Sequence, residues 1–304
     1  MIRAQSLEVA ALFRLAHVSD LHATRVQFSG LGELNAKRAL GWLSWQTRRR
    51  HRYRPEIAAR VIEDLVASAP DHVAVTGDLT HMGLDAEVAE AATWLARLGP
   101  PERVTLVPGN HDAYGARSDH WVMDAWRPYV NSDVSAAATF PSLRVRGPIA
   151  LVGLSSAVPA AVHLATGRVG PAQLAPLGDL LSDLGARKLC RVVLVHHPPT
   201  RADVSWRRRL EDGPALCAIL ARAGSELVLH GHTHRAARDT IASAFGAIPV
   251  LGVPATSSSV HARRGAYQVF SFGQRSGGGF TIARELRELD VESARMSSRG
   301  SEPL

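Results

Sequence analysis

The sequence predicts an α/β protein of the α+β type, with two mixed β-sheets packed face to face and helices on the outside. Its first half alternates apolar, strand-like runs with amphipathic helical segments, which is typical of parallel βαβ units. Its second half adds a hairpin between Leu143 and Leu154, where Gly147-Pro148 separates two apolar runs. With 304 residues, 46% of them apolar, the chain can bury a large core without disulfide bonds.

Strands are predicted where apolar and β-branched residues form short runs, and helices where apolar residues recur on one helical face. The predicted strands cover residues 13–18, 72–76, 103–107, 191–195, 226–230, 248–251, 266–272 and 280–284. We expect the last three to be consecutive antiparallel strands. The predicted helices cover residues 56–66 and 84–95, a segment after Pro171, and a segment around 216–220.

We expect a single domain over residues 1–286, followed by a flexible C-terminal tail at 287–304. The tail is polar and rich in Ser, Arg and Glu, so it offers little apolar surface to bury. No run approaches the ~20 apolar residues of a membrane span, and the apolar run at 9–13 is too short for a secretion signal. Cys190 and Cys217 lie in separate predicted elements, which favours reduced packing residues and a cytoplasmic location.

The formal net charge is +7, and much of it comes from arginines grouped at 48–54 and 207–209. A basic surface attracts anionic partners such as phosphorylated small molecules, although a solvated basic face is an equal alternative. The sequence contains no evident nucleic-acid module and no regular series of interleaved aromatic residues. We therefore expect a small anionic substrate rather than a nucleic acid.

Residues 23–55 form a long segment between the first predicted strand and the first long helix. Leu31, Leu34, Trp42 and Trp45 fall on one helical stripe, and the arginine run follows them. Three interpretations stay open for this Arg- and Trp-rich insertion. It packs its apolar face on the domain, caps an active site, or makes peripheral membrane contact through residues 31–54.

Five short motifs carry side chains that bind metals, and four of them directly follow an apolar, β-branched run. They are Asp20-Leu21-His22, Gly77-Asp78, Gly109-Asn110-His111-Asp112, His196-His197-Pro198 and Gly231-His232-Thr233-His234. Open α/β sheets place their ligand sites at the ends of strands, so we expect one shared site. Carboxylate, imidazole and amide ligands without cysteine suit a pair of borderline transition metals better than structural zinc.

In order and spelling, these five motifs resemble those of the calcineurin-like metallophosphoesterase superfamily. The resemblance runs from about Arg14 to about Leu286 and looks closest to a bacterial branch of cyclic-nucleotide and glycerophosphodiester phosphodiesterases. It implies a four-layer αββα sandwich and a dinuclear metal site. It also implies a phosphoesterase that cleaves diesters, or alternatively monoesters, by attack of a metal-bridging hydroxide.

The resemblance also implies which residues bind each metal, with Asp78 bridging the two ions. One metal would take Asp20, His22, Asp78 and His234, and the other Asp78, Asn110, His196 and His232. The spelling H-x-P favours His196 over His197 as the ligand. Magnesium prefers oxygen ligands, whereas this set contains several imidazoles. We therefore expect manganese or iron, with zinc and nickel as alternatives.

The same resemblance makes His111 the general acid that protonates the leaving oxygen, with Asp112 holding its ring. Several other residues are weaker candidates. His17, His72 and His230 lie on predicted strands and favour structural roles. His81 either lines the pocket or is a solvated loop residue, and Arg168 is a candidate contact for the substrate phosphate.

The function predicted from the sequence is a metal-dependent phosphoesterase, with phosphodiesterase first. The alternatives are a pyrophosphate or phospholipid-type hydrolase acting at a membrane surface, a nuclease, and last a non-catalytic scaffold. The physiological substrate, the metal used in the cell and the oligomeric state are not determined by the sequence, since specificity resides in loops around a shared site.

Overall fold

The structure, a computed structural model, describes residues 13–114, 124–135, 139–201, 204–290 and 292–304. It confirms two mixed six-stranded sheets with helices on their outer faces. The described strands are β1 (Phe13–Val18), β2 (His72–Val75), β3 (Val104–Leu106), β4 (Ser142–Arg146), β5 (Ile149–Leu154), β6 (Cys190–Val195), β7 (Leu227–His230), β8 (Arg238–Ser243), β9 (Gly246–Gly252), β10 (Ser259–Val260), β11 (Arg263–Arg264), β12 (Ala266–Gln274), β13 (Phe280–Asp290) and β14 (Arg295–Pro303).

The first sheet has the strand order β14-β13-β12-β1-β2-β3, and the second has the order β4-β5-β6-β7-β9-β8. In the first sheet β1, β2 and β3 are parallel, and β12 joins β1 antiparallel. In the second sheet β5, β6, β7 and β9 are parallel, and the hairpin partners β4 and β8 are antiparallel edges. Strands β10 and β11 form a separate small hairpin.

Alternate residues of the central strands face opposite cores, because successive side chains of a strand point to opposite faces. On β6, Val192 and Leu194 lie in the core between the two sheets, whereas Val193 and Val195 face the outer helices. Burial on both faces explains why residues 192–195 of this strand form a continuous apolar run in the sequence. The molecule therefore has three apolar layers of packing, one between the sheets and one under each helical layer.

With the exception of the first, the longer helices cover the outer faces of the sheets with their apolar stripes. The helices are α1 (Ala36–Ser44), α2 (Pro55–Ala67), α3 (Asp85–Leu98), α4 (Arg127–Val130), α5 (Pro171–Ala186) and α6 (Gly213–Ala223). Proline at the first turn begins α2, and its Val61, Ile62 and Leu65 are buried against the first sheet. Helices α5 and α6 cover the second sheet in the same way. Among the described residues, no helix is both long and apolar enough to cross a bilayer.

Two predicted features differ from the structure. Residues 287–304 were expected as a flexible tail, but β13 continues to Asp290 and β14 pairs with it antiparallel along the sheet edge. The polar composition misleads here because an edge strand with solvent on one side needs few apolar residues. The strand predicted at 248–251 was expected beside that at 266–272, yet β9 lies in the second sheet and β12 in the first.

The insertion after β1 contains α1, then a π-helical turn at Trp45–Arg49 and one helical turn at Arg50–Arg52. We call residues 36–54 the cap segment. None of the side chains of α1 is buried, and Leu34 and Trp42 of the predicted stripe are exposed, so these residues do not pack on the domain. Trp45, which follows α1, is half-buried, with its ring 6.4 Å from that of His81. The segment instead extends across the strand ends, and its last residues pair with Ser257 and Ser258.

Candidate metal centre

Loops at the carboxyl ends of β1, β2, β3, β6 and β7 carry the five motifs, and they are hydrogen-bonded to one another. The backbone N–H of Asp20 donates to Gly77 O at 2.9 Å, and that of Gly231 donates to His196 O at 3.1 Å. Between the sheets, the N–H of His232 donates to Asp20 Oδ2 at 3.0 Å. The predicted convergence of these motifs at one edge is therefore present in the structure.

Five of the predicted ligands have a left-handed backbone conformation. Their φ angles are 53° at Asp20, 40° at His22, 55° at Asp78, 65° at His232 and 53° at His234. Such values are uncommon outside glycine, cost about 1–3 kcal/mol each, and cluster at functional sites. The tight reversal after each strand directs these side chains toward a common space, and the surrounding core holds the strained turns in place.

The first group of donors consists of Asp20, His22, Asp78 and His234, whose ligand atoms all lie within 4.8 Å of one another. Asp20 is fully buried, and its Oδ1 lies 3.0 Å from His234 Nε2. That oxygen accepts no hydrogen bond from any described residue. A buried carboxylate oxygen without a donor is costly unless a cation neutralises it, so this group fits a metal ion.

The second group contains His196, His197 and His232. Asn110 joins it, since its Oδ1 lies 3.2 Å from His196 Nε2. Asp78 lies between the two groups, with its Oδ2 3.7 Å from His22 Nε2 and 3.4 Å from His196 Nε2. A single carboxylate facing imidazoles of both groups is the arrangement that a bridging ligand requires.

His196 fits the ligand position better than His197. His196 Nδ1 donates to Thr76 O at 2.6 Å, which leaves Nε2 facing Asp78 and Asn110. Both ring nitrogens of His197 have other partners, Ser156 Oγ at 2.8 Å and Ala165 O at 3.3 Å. The geometry thus favours the assignment made from the H-x-P spelling.

The other three imidazoles are also oriented by hydrogen bonds on their remote nitrogens. His22 Nδ1 lies 2.7 Å from Thr80 O, His234 Nδ1 2.8 Å from the hydroxyl of Tyr53, and His232 Nε2 3.0 Å from Arg208 O. A carbonyl can only accept, so the remote nitrogens of His22 and His232 carry the proton. The neutral rings of His22 and His232 then present an unprotonated nitrogen to the centre, as metal ligation needs.

The electrostatics of the centre also suit a cation. Burial first, and then the charge of Arg49, lower the pKa of His22 well below its usual value and keep it neutral. Burial also lowers the pKa of His196, but the Asp78 carboxylate outweighs it and raises that pKa to about 9. A position where the protein stabilises positive charge this strongly is one where a metal cation would bind.

Asp112 does not hold the ring of His111, contrary to the prediction. The ring of His111 donates from Nδ1 to His81 O at 2.6 Å. The Asp112 carboxylate instead accepts from backbone N–H groups of Asp78 at 2.8 Å, Gly109 at 3.0 Å and Thr80 at 3.0 Å. Asp112 therefore positions the two loops that carry Asp78 and Asn110, while the backbone of His81 orients His111.

Gly109 is required by a close approach of the same two loops. A Cβ atom at this position would lie 2.2 Å from Asp78 Oδ1 and 2.5 Å from Asp78 N. The Asp78 carboxylate is held there by the N–H of His111, which donates to Oδ1 at 2.8 Å. Any side chain at position 109 would therefore displace the Asp78 carboxylate.

The structure adds site residues that the sequence did not single out. Arg49 of the cap segment reaches the centre, with one guanidinium nitrogen 3.1 Å from His111 Nε2 and another 3.4 Å from His22 Nε2. Arg208 approaches from the other sheet and donates to His232 O at 2.6 Å. Both arginines belong to the groups noted in the sequence. Only the folded structure shows which members of these groups point into the site and which point to solvent.

These side chains line an open cavity of about 270 Å³. Its lining residues are Arg49, Tyr53, Asp78, Asn110, His111, Ala165, Arg208, His232 and His234. A second cavity of about 360 Å³ adjoins it and shares Asn110, His111 and Arg208. The cap segment thus closes one side of the metal centre, as the active-site cap interpretation expected.

The weaker candidates lie as follows. His81 is buried and stacks on His22 with ring centroids 5.2 Å apart, so it is not a solvated loop residue. Arg168 forms an ion pair with Glu211 at 2.7 Å and does not line the described cavities. The strand histidines His17, His72 and His230 are buried, in agreement with structural roles.

Comparison with known proteins supports the same assignment. Residues 13–236 match the family of calcineurin-like phosphoesterases. A probable cyclic nucleotide phosphodiesterase of Synechococcus sp. is 27% identical over 206 residues, which cover 66% of this chain and 70% of that protein.

Solved structures share the fold at low identity. A dimetal phosphatase from Danio rerio superposes with a TM-score of 0.65 at 12% identity, covering 95% of this chain and 98% of that one. The purple acid phosphatase PPD1 from yellow lupin superposes with a TM-score of 0.57 at 11% identity, covering 95% and 53%. The matched family region contains all five metal-binding motifs, three strands of the first sheet and four of the second, and we conclude that the chain belongs to the calcineurin-like phosphoesterase family.

Proposed function

We propose that this chain is a metal-dependent phosphodiesterase that acts on small anionic diesters. The observation that carries the proposal is the position of His111 beside two metal-binding groups, with Asp78 lying between them. The cavity around them also contains Arg49 and Arg208, which suit a negatively charged substrate. Metal-assisted hydrolysis of a phosphoester uses three features: cation sites, a proton donor, and groups that neutralise the charge of the phosphate.

The donor set described above would hold two divalent or trivalent ions, and we propose manganese or iron, with zinc or nickel as alternatives. When bound, such a pair supplies Lewis-acid stabilisation of the phosphoryl oxygens and an activated water. Asp78 would contact both ions, and the amide of Asn110 adds a neutral ligand where a further carboxylate would add negative charge.

The arginines would bind the non-bridging oxygens of the substrate. The guanidinium of Arg49 lies 3.1 Å from His111 Nε2 and 3.4 Å from His22 Nε2, so it would reach a phosphoryl group bound beside these rings. Arg208 is held by its bond to His232 O on the opposite wall. Charge-assisted hydrogen bonds from guanidinium to phosphate are strong and directional, and they stabilise charge that develops in the transition state.

His111 would deliver the proton to the leaving oxygen from Nε2. Its Nδ1–H is committed to His81 O, so Nε2 is the ring atom that would carry the transferred proton. Burial first, and then the charge of Arg49 3.1 Å from Nε2, lower the pKa of His111, so Nε2 would take up this proton when Arg49 pairs with the anionic substrate. Protonation matters most where the departing alkoxide is a poor leaving group, as in alkyl diesters. The adjoining 360 Å³ cavity, which shares His111, has room for the second ester substituent.

The test is hydrolysis by manganese-loaded protein of a panel with one blank variant, Asn110→Ala. The panel holds an aryl diester, an aryl monoester, cyclic AMP, glycerophosphodiesters and a nucleotide-sugar pyrophosphate. Cyclic AMP is included because the Synechococcus relative is described as a probable cyclic nucleotide phosphodiesterase. We expect diester cleavage that Asn110→Ala loses; preferred cleavage of the monoester, or none with two metals bound, would refute the proposal.

The role of His111 has a separate test in the leaving group. We expect His111→Ala to slow an alkyl diester by about 10²–10⁴-fold and an aryl diester with a good leaving group far less. Equal losses on both substrates would show that His111 acts in binding and not in proton transfer.

A second candidate is a pyrophosphate or phospholipid-type hydrolase that acts at a membrane surface. The exposed apolar side chains of α1 are the specific observation that favours it. Fastest cleavage of the pyrophosphate in the panel would support this alternative. Every predicted ligand position carries a residue that can bind a metal, which gives no support to a non-catalytic scaffold. The cytoplasmic location stays a prediction from the sequence.

A further inference from the structure

Helix α1 is amphipathic, but its orientation on the domain is the reverse of the usual one. Its polar residues face inward: Lys37 donates to Ala160 O at 2.8 Å, and Arg38 donates to Gly83 O at 2.8 Å. Its large apolar residues face solvent, with Leu40 55%, Trp42 42% and Leu43 54% exposed. An apolar helix face left in water is costly, so its presence calls for a partner that covers it.

Exposed apolar side chains are concentrated around the mouth of the metal cavity. Ten large apolar residues of the described chain are exposed, and three of them, Val66, Val134 and Phe245, lie elsewhere. The other seven lie on segments that line the cavities or bond to the cap segment: Leu34, Leu40, Trp42, Leu43, Val162, Trp206 and Val260. A single apolar residue on a surface needs no explanation, but this distribution is not scattered.

The charge of the same region indicates what the partner is. The cap segment, residues 36–54, contains seven Lys or Arg and no Asp or Glu. Arg48, Arg50, Arg52 and Arg54 are all exposed. A second copy of this chain placed symmetrically on this face would set the basic run against itself, which opposes self-association. An apolar face bordered by arginines is complementary to a surface that is both apolar and anionic.

We propose that α1 and the arginine run after it form a docking surface for anionic lipid bilayers. Leu40, Trp42 and Leu43 would insert among the acyl chains near the headgroups, and the exposed arginines would pair with lipid phosphates. Docking in this way places the mouth of the metal cavity at the level of the headgroups. The inference stands on the surface of the cap segment and does not depend on which phosphoester is cleaved.

The test is flotation of the full-length, manganese-loaded protein with two kinds of vesicle. One is phosphatidylcholine alone, and the other is equal parts phosphatidylcholine and phosphatidylglycerol. We expect binding to the anionic vesicles only, weakened by added salt because the arginine contribution is screened. The double variant Leu40→Ser with Leu43→Ser should weaken binding at least tenfold, and Arg48→Gln roughly fivefold.

A matched control is the double variant Val66→Ser with Phe245→Ser, which removes two exposed apolar side chains away from the cavity mouth. It should bind vesicles like the unaltered protein. Absence of binding, or equal loss in both double variants, would overturn the proposal. So would a dimer in light scattering that Leu40→Ser with Leu43→Ser dissociates, since a second copy would then cover the face.

Activity on a soluble aryl diester separates this inference from the proposed function. The Leu40→Ser with Leu43→Ser variant should hydrolyse it at the unaltered rate, because neither side chain lines the 270 Å³ cavity. Loss of vesicle binding with retained hydrolysis is the expected result. Normal hydrolysis by a protein that never binds vesicles would refute the docking surface and leave the phosphodiesterase proposal standing.

Discussion

The metal-centre loops and the cap segment differ in almost every physical respect, although they face each other across one cavity. The predicted ligands in the loops are buried or nearly so, and hydrogen bonds from neighbouring loops hold them. The cap segment has no buried residue in α1, and it is attached through a few polar contacts, including those of Lys37, Arg38 and Tyr53. The loops hold the predicted ligands in fixed positions. The cap segment borders the cavity and can change in sequence without changing those positions, so it can influence which substrates enter.

The largest effect should come from the residue shared by the two metal groups. Asp78→Asn keeps the shape of the side chain but removes the charge that both groups need. We expect kcat/KM on an aryl diester to fall by at least about 10³-fold and bound metal to decrease. Exposed Asp179 on α5 offers the matched control, Asp179→Asn, which should change neither quantity; a similar loss there would show a nonspecific effect of charge.

A smaller effect should follow from crowding the bridging carboxylate without changing any ligand. In Gly109→Ala the new Cβ would meet Asp78 Oδ1 at 2.2 Å, so the carboxylate must move. We expect metal affinity, measured by calorimetric titration with manganese, to fall about 10–100-fold. Gly178→Ala on α5 is the control, since its Cβ meets only Ile219 at 3.8 Å. Unchanged affinity in Gly109→Ala would mean that the loops can separate.

Neighbouring arginines of the cap segment should behave differently. Arg49 contacts His111, whereas Arg48 is exposed. We expect Arg49→Gln to raise KM for a soluble diester about tenfold, because one charge-assisted hydrogen bond is lost. Arg48→Gln should leave these kinetics unchanged. If Arg48→Gln raises KM as much as Arg49→Gln does, the cap segment acts through its overall charge and not through the contact of Arg49 with His111.

The smallest effect should come from a substitution between α2 and the first sheet, away from both regions, and it should change stability alone. Asp64 on α2 accepts hydrogen bonds from Arg287 at 2.8 Å and from Tyr267 at 2.6 Å. Burial raises the pKa of Asp64, but these donors outweigh it and lower the pKa below 3.8. Asp64→Asn should cost about 1–2 kcal/mol at neutral pH in denaturant unfolding, with kcat unchanged.

The pH dependence of that contribution follows from the lowered pKa. The ionised form of Asp64 is favoured in the folded protein, so its contribution is complete above the unfolded pKa near 3.8. It is lost as the pH falls through the lower folded value. The difference in unfolding free energy between Asp64→Asn and the unaltered protein should therefore shrink below about pH 4. A difference that grows on acidification would contradict the ion pair.

The sequence by itself determined most of the strands, the helices that cover them and the metal-binding motifs, but not β8 or β14. Continuous apolar runs such as 192–195 indicate strands buried on both faces, and the end of a strand determines where the polar residue that follows it lies. Such local signals are sufficient because strand, turn and ligand are adjacent in the chain. The convergence of Asp20, Asp78, Asn110, His196 and His232 followed from that placement together with the order of the motifs.

Only the tertiary structure decided which side chains act between segments. That His81 rather than Asp112 orients His111, and that Arg49 rather than Arg48 enters the cavity, depends on contacts between residues distant in sequence. The paired strand at 295–303 and the outward apolar face of α1 have the same origin. Periodicity shows that a helix has an apolar face, but what lies opposite that face is set by the packing of other segments.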